Sequence, residues 1–219
     1  MTIKVHDQFA KQYLKELLDP LGKVETSWEV AGEVQQVDVY FVPSPALATN
    51  AQNLGLLGEL ATTPAMFEPF RNPVTKAEVL SCIGKLAEVH GQLFRQAKRA
   101  HAQVRVTELP RLWILSPTAS EEFLESFHAQ PDLVNFPRGI YFLGKSLYTA
   151  IVAIHQLPVT PETLWLRILG RGRVQQQGIE ELKSLPTDSQ FKANILELVY
   201  DKRRDIRGTY KTESRPRGR

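Results

Sequence analysis

Apolar and polar side chains alternate through residues 24–30 and again through residues 34–42, the period-two pattern of strands with one buried face. Ala31 and Gly32 stand between the two runs, where a hairpin could turn, so we expect two paired strands. Pro43 ends the second strand because a proline cannot donate to a strand ladder. Three further short apolar stretches predict strands, at residues 65–70, 111–117 and 139–144.

Apolar residues at helical spacing predict helices around these strands. The first helix is expected to start at a capping Asp7 and to end at Pro20. A long helix is expected from Thr75 to about residue 100, because Thr75 and Glu78 have the spacing of a capping box. Shorter segments are assigned as a helix or loop at residues 54–64, a helix capped by Ser120 at 121–127, and a helix at 145–157.

The chain changes character after Pro158, where capped helical patterns follow one another without a strand signal. Beyond residue 204 the sequence is basic, with glycine and proline, and too poor in apolar residues to bury a core. We therefore expect an α/β core of residues 1–157 built as a mixed sheet flanked by helices, a helical C-terminal segment of residues 158–204, and a basic flexible tail of residues 205–219.

Composition narrows the class of protein. The chain has 219 residues, of which 42% are hydrophobic and 23% charged, values typical of a globular protein with a substantial core. Cys82 is the single cysteine, which excludes an internal disulfide and any cysteine-rich metal site. Because no apolar run reaches membrane-spanning length and the first residues do not resemble a signal peptide, we expect a cytoplasmic protein without a membrane partner.

Two acidic residues lie inside predicted strands. Asp38 is near the middle of "QVDVYFV", and Glu68 is within "MFEPF". Carboxylates on neighbouring strands are an efficient way to bind one divalent cation, which polarises a phosphate and activates water. The alternatives stay open at this point, since period two can turn Asp38 to solvent with its neighbours and Glu68 can form a surface ion pair with Arg71.

With these residues the chain resembles the PD-(D/E)XK nuclease superfamily, and within it the Rpn-type recombination-promoting nucleases and transposase-related proteins of bacteria. The resemblance covers roughly residues 5–200 and depends on the helix-strand-strand-strand-helix-strand order, the aspartate in "VDVYF", the glutamate in "FEPF" and the helical part "QLPVTPETLWLRILGRGRVQQQGIEEL". It implies a restriction-endonuclease-like fold, a Mg²⁺-dependent DNA endonuclease activity, and Asp38 and Glu68 as metal ligands. Dimers are common among such nucleases, so it also implies a homodimer.

The third position of the family motif departs from this pattern. A lysine or glutamine is expected two residues after the glutamate, and this chain has Phe70 there. A bulge at Pro69 could re-aim Arg71 as a phosphate-binding or charge-stabilising catalytic residue, or a lysine could reach in from the following helix, Lys76 or Lys85. The competing hypothesis, favoured by Phe70, is a catalytically inactive protein-binding or nucleic-acid-binding module on the same fold.

A deletion can test whether the basic tail contacts DNA. Deleting the chain after Arg204 removes Arg207, Lys211, Arg215, Arg217 and Arg219. If these side chains contact DNA phosphates, the deletion weakens DNA binding mainly at low salt and makes the dependence of affinity on salt shallower, by a log–log slope of about 0.9 per lost phosphate contact. Fluorescence anisotropy with a labelled duplex at several salt concentrations measures this, and an unchanged slope would argue against a phosphate role.

Overall fold

The computed structural model of the protein describes residues 2–30, 35–44, 51–185 and 192–200, with side chains described for residues 8–27, 36–44, 51–185 and 192–200. The expected hairpin turn at Ala31 and Gly32 and the basic tail lie outside these residues. Within them the fold is a mixed α/β sheet flanked by helices. The helices are α1 (Thr2–Leu18), α2 (Gly55–Leu60), α3 (Lys76–Arg99), α4 (Glu121–Glu125), α5 (Leu164–Arg167) and α6 (Gly172–Ser184), and residues 192–200 are also helical.

In the described chain the sheet has seven strands. They are β1 (Gly22–Val30), β2 (Gln35–Pro43), β3 (Ala65–Pro69), β4 (Arg111–Ser116), β5 (Gln130–Pro131), β6 (Ile140–Phe142) and β7 (Thr149–Ala153). Their spatial order is β1-β2-β3-β4-β7-β6-β5. The first three strands are antiparallel neighbours, β3, β4 and β7 run parallel, and β6 and β5 return antiparallel at the far edge.

Each face of the sheet carries its own hydrophobic core. On the first face, α1 and the C-terminal helices pack on alternate strand residues such as Phe67 and Trp113. On the second face, α3 and α4 pack on the intervening residues, such as Met66 and Ile114. The buried central strands β3, β4 and β7 are almost wholly apolar for this reason, since both of their faces are covered.

Several expected elements are confirmed. Helix α3 starts with a complete capping box, in which the Thr75 hydroxyl accepts from the Glu78 N–H and the Glu78 carboxylate accepts from the Thr75 N–H. Ser120 caps α4 by accepting from the Phe123 N–H. The expected order of elements is also present, with α2 inserted between β2 and β3.

Two expectations were wrong. The segment 145–157, expected to be helical, contains the buried strand β7, because Ile151 and Val152 lie between β4 and β6 with both faces covered, where β-branched residues pack well. A continuous apolar run does not distinguish a doubly buried strand from a buried helix. Asp7 lies inside α1 and is not its cap, because the helix extends back to Thr2 over residues that do not break it.

The C-terminal helices share the core of the first sheet face. Leu166 of α5 and Leu182 of α6 are fully buried in it, and so is Ile195 of the last described helix. The Tyr13 hydroxyl of α1 donates a hydrogen bond of 2.8 Å to the carbonyl oxygen of Trp165. The division at residue 158 stays a prediction. None of the described helices has the length and apolar character needed to cross a bilayer.

The shared core has a measurable consequence. Leu182→Ala removes a fully buried side chain from α6 and is expected to lower the free energy of unfolding of the whole protein by about 2–5 kcal/mol, in one cooperative transition. Leu185→Ala is the matched control, because Leu185 is 36% exposed just beyond the same helix, and we expect a clearly smaller loss. Urea unfolding followed by circular dichroism, with amide exchange in β3 and β4, measures both. Unchanged protection of β3 and β4 in the Leu182 variant would show that the helical segment unfolds separately.

Candidate functional site

The candidate site lies where strands β2 and β3 part. Their antiparallel ladder pairs Phe41 with Ala65 and ends with Val39 opposite Phe67. One residue further along, the N–H of Asp38 is 3.4 Å from a carboxylate oxygen of Glu68 and donates to it. The fold therefore places Asp38 on the strand next to Glu68, with the Asp38 backbone in contact with the Glu68 carboxylate.

Glu68 is buried beneath α3. It lies opposite Ile114 of β4, so its side chain points to the second sheet face, and the residue is only 2% exposed. The Nζ atom of Lys85, on α3, is 3.0 Å from each Glu68 carboxylate oxygen. An unpaired carboxylate in such a place would be costly, and this ammonium compensates its charge. A surface ion pair between Glu68 and Arg71, the alternative interpretation, is wrong.

Strand β2 is distorted at Asp38. The β1–β2 ladder pairs Thr26 with Val39 and Trp28 with Val37, but among the described strand residues it omits the pair between them, Ser27 and Asp38. Ser27 has a left-handed backbone with φ of 54°, an uncommon conformation for a residue other than glycine. In a regular strand Val37 and Val39 would lie on the same face of the sheet. Here Val39 packs in the core of the first face and Val37 in the core of the second, so the side chains change faces at the distortion.

This distortion lets the Asp38 carboxylate reach α1. Lys11 Nζ of α1 is 2.8 Å from Asp38 Oδ1 and 3.5 Å from the Ser27 hydroxyl, to which it donates. The side chains of Lys11 and Asp38 are 17% and 18% exposed. Glu68 is covered more completely, so the site opens to solvent on the Asp38 side. This ion pair disagrees with the alternative in which Asp38 turns to solvent together with Gln36.

The electrostatics of the site follow from this burial. Burial and, to a smaller extent, the nearby charge of Asp38 together raise the pKa of Glu68 to about 7, although the Lys85 ammonium opposes the rise. Burial alone would lower the pKa of Lys85, but the Glu68 carboxylate outweighs it and the net shift is upward. Lys85 therefore keeps its proton at neutral pH and acts as a hydrogen-bond donor and fixed positive charge.

Cys82 lies one turn before Lys85 on α3 and is buried in the same core. Burial, with a smaller contribution from the charge of Glu68, raises the pKa of its thiol far above the usual range. The thiolate is the reactive form of cysteine, so Cys82 is not suited to nucleophilic catalysis.

The residues considered for the third motif position lie in different surroundings. Phe70 packs against the core of the second face, next to α3. Strand β3 ends at Pro69 in regular register with β4, and the Phe70 N–H continues the pattern by donating to Leu115. Arg71 follows the strand, partly exposed, and within the described residues it makes no ion pair with Glu68. The structure therefore brings Lys85 to the carboxylates, but not Arg71, and Lys76 is exposed at the start of α3.

Two contributors to the site, Lys11 and Ser27, have no distinctive signal in the sequence. Lys11 is a polar residue on an amphipathic helix, where a lysine is ordinary. A left-handed backbone is normally expected at glycine or asparagine, so a serine at position 27 gives no indication of it. Glu16, an acidic residue of the first helix, accepts a hydrogen bond from Asn194 and does not take part in the site.

A second polar group lies at the carboxyl ends of the parallel strands. Arg171 donates to Asn72 Oδ1 at 2.9 Å, and its backbone N–H donates to His155 Nε2 at 3.1 Å. Burial and the Arg171 charge lower the pKa of His155, which is consequently neutral at pH 7. The arrangement holds the exposed Arg171 beside the loop that follows β3.

The donor set is compatible with Mg²⁺. Groups of three or more metal-binding side chains do not occur within the described residues. However, Mg²⁺ retains several waters and is commonly bound through one or two carboxylates together with substrate phosphates. The charge of Asp38 is one cause of the raised pKa of Glu68, and a cation bound between the two residues would relieve this repulsion. These two residues are therefore the candidate ligands.

Comparison with protein-family models, with curated proteins and with solved structures finds no match for this chain.

The raised pKa of Glu68 predicts a specific pH dependence of stability. Its usual value is 4.5 and its value in the fold is about 7, so the folded state binds the proton more tightly. This contribution is complete below the unfolded pKa and is lost as pH rises through 7. Relative to Glu68→Gln, the wild-type free energy of unfolding should fall by roughly 2–3 kcal/mol between about pH 5 and pH 8.

Urea unfolding of both proteins across this pH range measures the effect. The raised pKa of Lys85 depends on the Glu68 carboxylate, and burial alone lowers that pKa in the Glu68 variant. The comparison is therefore repeated with Lys85→Met in both proteins, which removes the titration of Lys85. Glu108→Gln is a control, since Glu108 is a surface residue whose pKa is lowered by the Arg105 backbone and side chain. Parallel pH profiles for the wild type and the Glu68 variant would contradict the raised pKa.

Proposed function

We propose that this protein hydrolyses phosphodiester bonds in DNA at a divalent-metal site built from Asp38, Glu68 and Lys85. The observation that carries the proposal is the approach of Asp38 to the buried Glu68–Lys85 pair where β2 and β3 part, with Lys85 Nζ 3.0 Å from Glu68 and the backbone N–H of Asp38 donating to the same carboxylate. Two carboxylates and one ammonium form the residue set that the PD-(D/E)XK resemblance implies. We also propose, as part of this function, that the fold is restriction-endonuclease-like.

The geometry supports a different origin for the lysine. The family motif has its lysine or glutamine on the strand, at the position of Phe70. In this chain Phe70 packs into the core beside α3, and the helix supplies Lys85 on the same sheet face. An ammonium from a helix can occupy the space that a strand lysine would reach, because side chains 68 and 70 and the facing side of α3 all point toward one layer.

The chain's own residues have separable roles in this proposal. Asp38 and Glu68 would hold Mg²⁺, which when bound polarises the phosphate and activates water. Lys85 stays protonated and donates toward negative charge that develops on the phosphate oxygens. The reaction consumes one water, whose oxygen ends on phosphorus while one of its protons ends on the leaving oxygen. Substrate reaches the site from the more exposed Asp38 side.

A second candidate function has an observation in its favour. Asp38 is paired with Lys11 and Glu68 with Lys85, so two lysines balance two carboxylates without any added cation. Such a balanced cluster could serve stability alone, with the sheet acting as a catalytically inactive binding module. Phe70 favours this alternative, and DNA or protein would then be the partner. The two functions differ in whether Mg²⁺ binds at these carboxylates.

Cleavage of supercoiled plasmid in Mg²⁺ or Mn²⁺ tests the nuclease function. Asp38→Asn and Lys85→Met should each lower the cleavage rate by at least about 100-fold, the scale expected when one charge-stabilising group is lost. Lys76→Met is the matched control, because Lys76 is exposed on the same helix and should leave the rate unchanged. Circular dichroism checks that each variant is folded.

A binding readout separates the two candidate functions. Mg²⁺ at the carboxylates should lower the apparent pKa of Glu68, as followed by carboxyl carbon NMR, and Asp38→Asn should abolish that shift. Plasmid cleavage that is equal in all variants, or no cleavage together with no Mg²⁺-dependent shift, would reject the nuclease proposal. The inactive module would then be the better account.

A further inference from the structure

A cavity of about 890 Å³ lies away from the carboxylates, at the opposite end of the central strands. Arg111 and Trp113 of β4 form its floor, and Phe136, Phe142 and Lys145 belong to its wall. Arg111 pairs with Ala65 at the start of β3, whereas Ile114 is the residue of β4 that pairs with Glu68. Three residues of β4 therefore separate Arg111 from the level of Glu68, a distance of about 10 Å along the strand. Trp113 also packs on the first sheet face, whereas Glu68 points to the second. We refer to this space as the aromatic cavity.

Three rings form the aromatic side of this cavity. Phe136 and Phe142 have centroids 5.1 Å apart, and Trp113 lies edge-on to Phe142 at 6.0 Å. Trp113 is almost fully buried and is anchored by its indole N–H, which donates to the Leu60 carbonyl oxygen at 3.0 Å. Phe136 and Phe142 are only partly buried, so the space they line is accessible. Rings held in this way offer a rigid surface for another flat ring.

A guanidinium group is held against these rings. The Arg111 Cζ atom is 5.5 Å from the centroid of Trp113 and 5.5 Å from that of Phe142. Within the described chain, no carboxylate forms an ion pair with Arg111, and its guanidinium makes no hydrogen bond. Burial lowers the pKa of Arg111, yet an arginine remains charged in a protein. The N–H groups of a partly desolvated, oriented cation are thus available to an anion.

The rest of the wall discriminates between kinds of anion. Lys145 contributes a second cation, which favours a group with more than one negative charge. Asp132 accepts a hydrogen bond of 2.8 Å from the Asn135 side-chain amide. Its pKa is lowered by Asn135 and also by the charge of Lys145, so one acid of the wall partly offsets this cation. Val106 is 70% exposed at the wall, and apolar surface of this kind suits an organic body better than a free inorganic ion. Gln130 and Thr62 also line the cavity and add hydrogen-bonding side chains to it.

We propose that the aromatic cavity binds a nucleoside monophosphate, with the base against Phe136 and Phe142 and the phosphate on Arg111 and Lys145. The volume lies within the range of small-molecule pockets, and a bidentate guanidinium is well matched to a phosphate. Base stacking on aromatic rings tolerates any base, so purine and pyrimidine nucleotides both bind. This site is independent of the proposed nuclease, since it shares no residue with the carboxylate cluster.

Isothermal titration with AMP and UMP tests the site, with adenosine and inorganic phosphate as the two partial probes. Both nucleotides should bind with a dissociation constant below about 1 mM, and each partial probe at least about tenfold more weakly. Arg111→Met and Phe136→Ala should each weaken AMP binding by at least about tenfold, through loss of the anion contact and of the stacking surface. Arg99→Met, an exposed cation at the end of α3, should have no effect.

Using two variants keeps the test valid should one of them fail to fold. Equal binding of inorganic phosphate and AMP would reduce the site to a bare anion contact and overturn the proposal. Equal binding of adenosine and AMP would remove the role of Arg111 and overturn it equally. Failure of both nucleotides to bind at millimolar concentration would also overturn it. Since Asp38→Asn leaves the aromatic cavity unchanged, AMP should bind this variant normally whether or not the nuclease proposal survives.

Discussion

The buried ion pair between Glu68 and Lys85 is the interaction on which the arrangement of the candidate site depends. A carboxylate in the centre of a covered sheet is tolerated when a charge partner and hydrogen bonds replace the lost water. Lys85 meets both carboxylate oxygens at 3.0 Å from α3, and the Asp38 N–H contributes from β2. The pair thereby ties the long helix to the middle of the sheet. It also explains why a single polar residue is found in the otherwise apolar strand β3.

The distortion at Asp38 is the complementary feature. A regular β2 would pair Asp38 with Ser27 and keep one alternation of faces along the strand. The ladder instead omits that pair, and the left-handed Ser27 marks the place. Uncommon backbone conformations of this kind persist where surrounding contacts enforce them and often accompany functional sites. Here the result is that one carboxylate reaches Lys11 of α1 while its neighbour on β3 reaches Lys85 of α3.

The two candidate sites use the sheet in different ways. The carboxylate cluster lies where antiparallel strands part, and its chemistry depends on charges that compensate one another in a nearly closed space. The aromatic cavity lies at the start of β4 and β7, where short strands and loops leave a wide opening. Its guanidinium is held by ring faces and not by an acid, so its hydrogen-bonding capacity is retained. Because the carboxylate cluster and the aromatic cavity lie on different sheet faces and at different strand ends, a substitution can alter one site without altering the other.

The local features of the fold follow from the sequence, because they depend on residues close together in the chain. The capping box at Thr75, the long helix that follows, the alternating strands β1 and β2 and the presence of acids at 38 and 68 could all be predicted. The sequence also allowed Lys85 as one source of the missing lysine, but it could not choose between Lys85 and Arg71. That choice depends on how α3 lies over β3, a contact across 17 positions of the chain. Lys11, the backbone of Ser27 and strand β7 were likewise decided by tertiary structure alone. Packing and desolvation set these features, and their energies depend on partners that are distant in sequence.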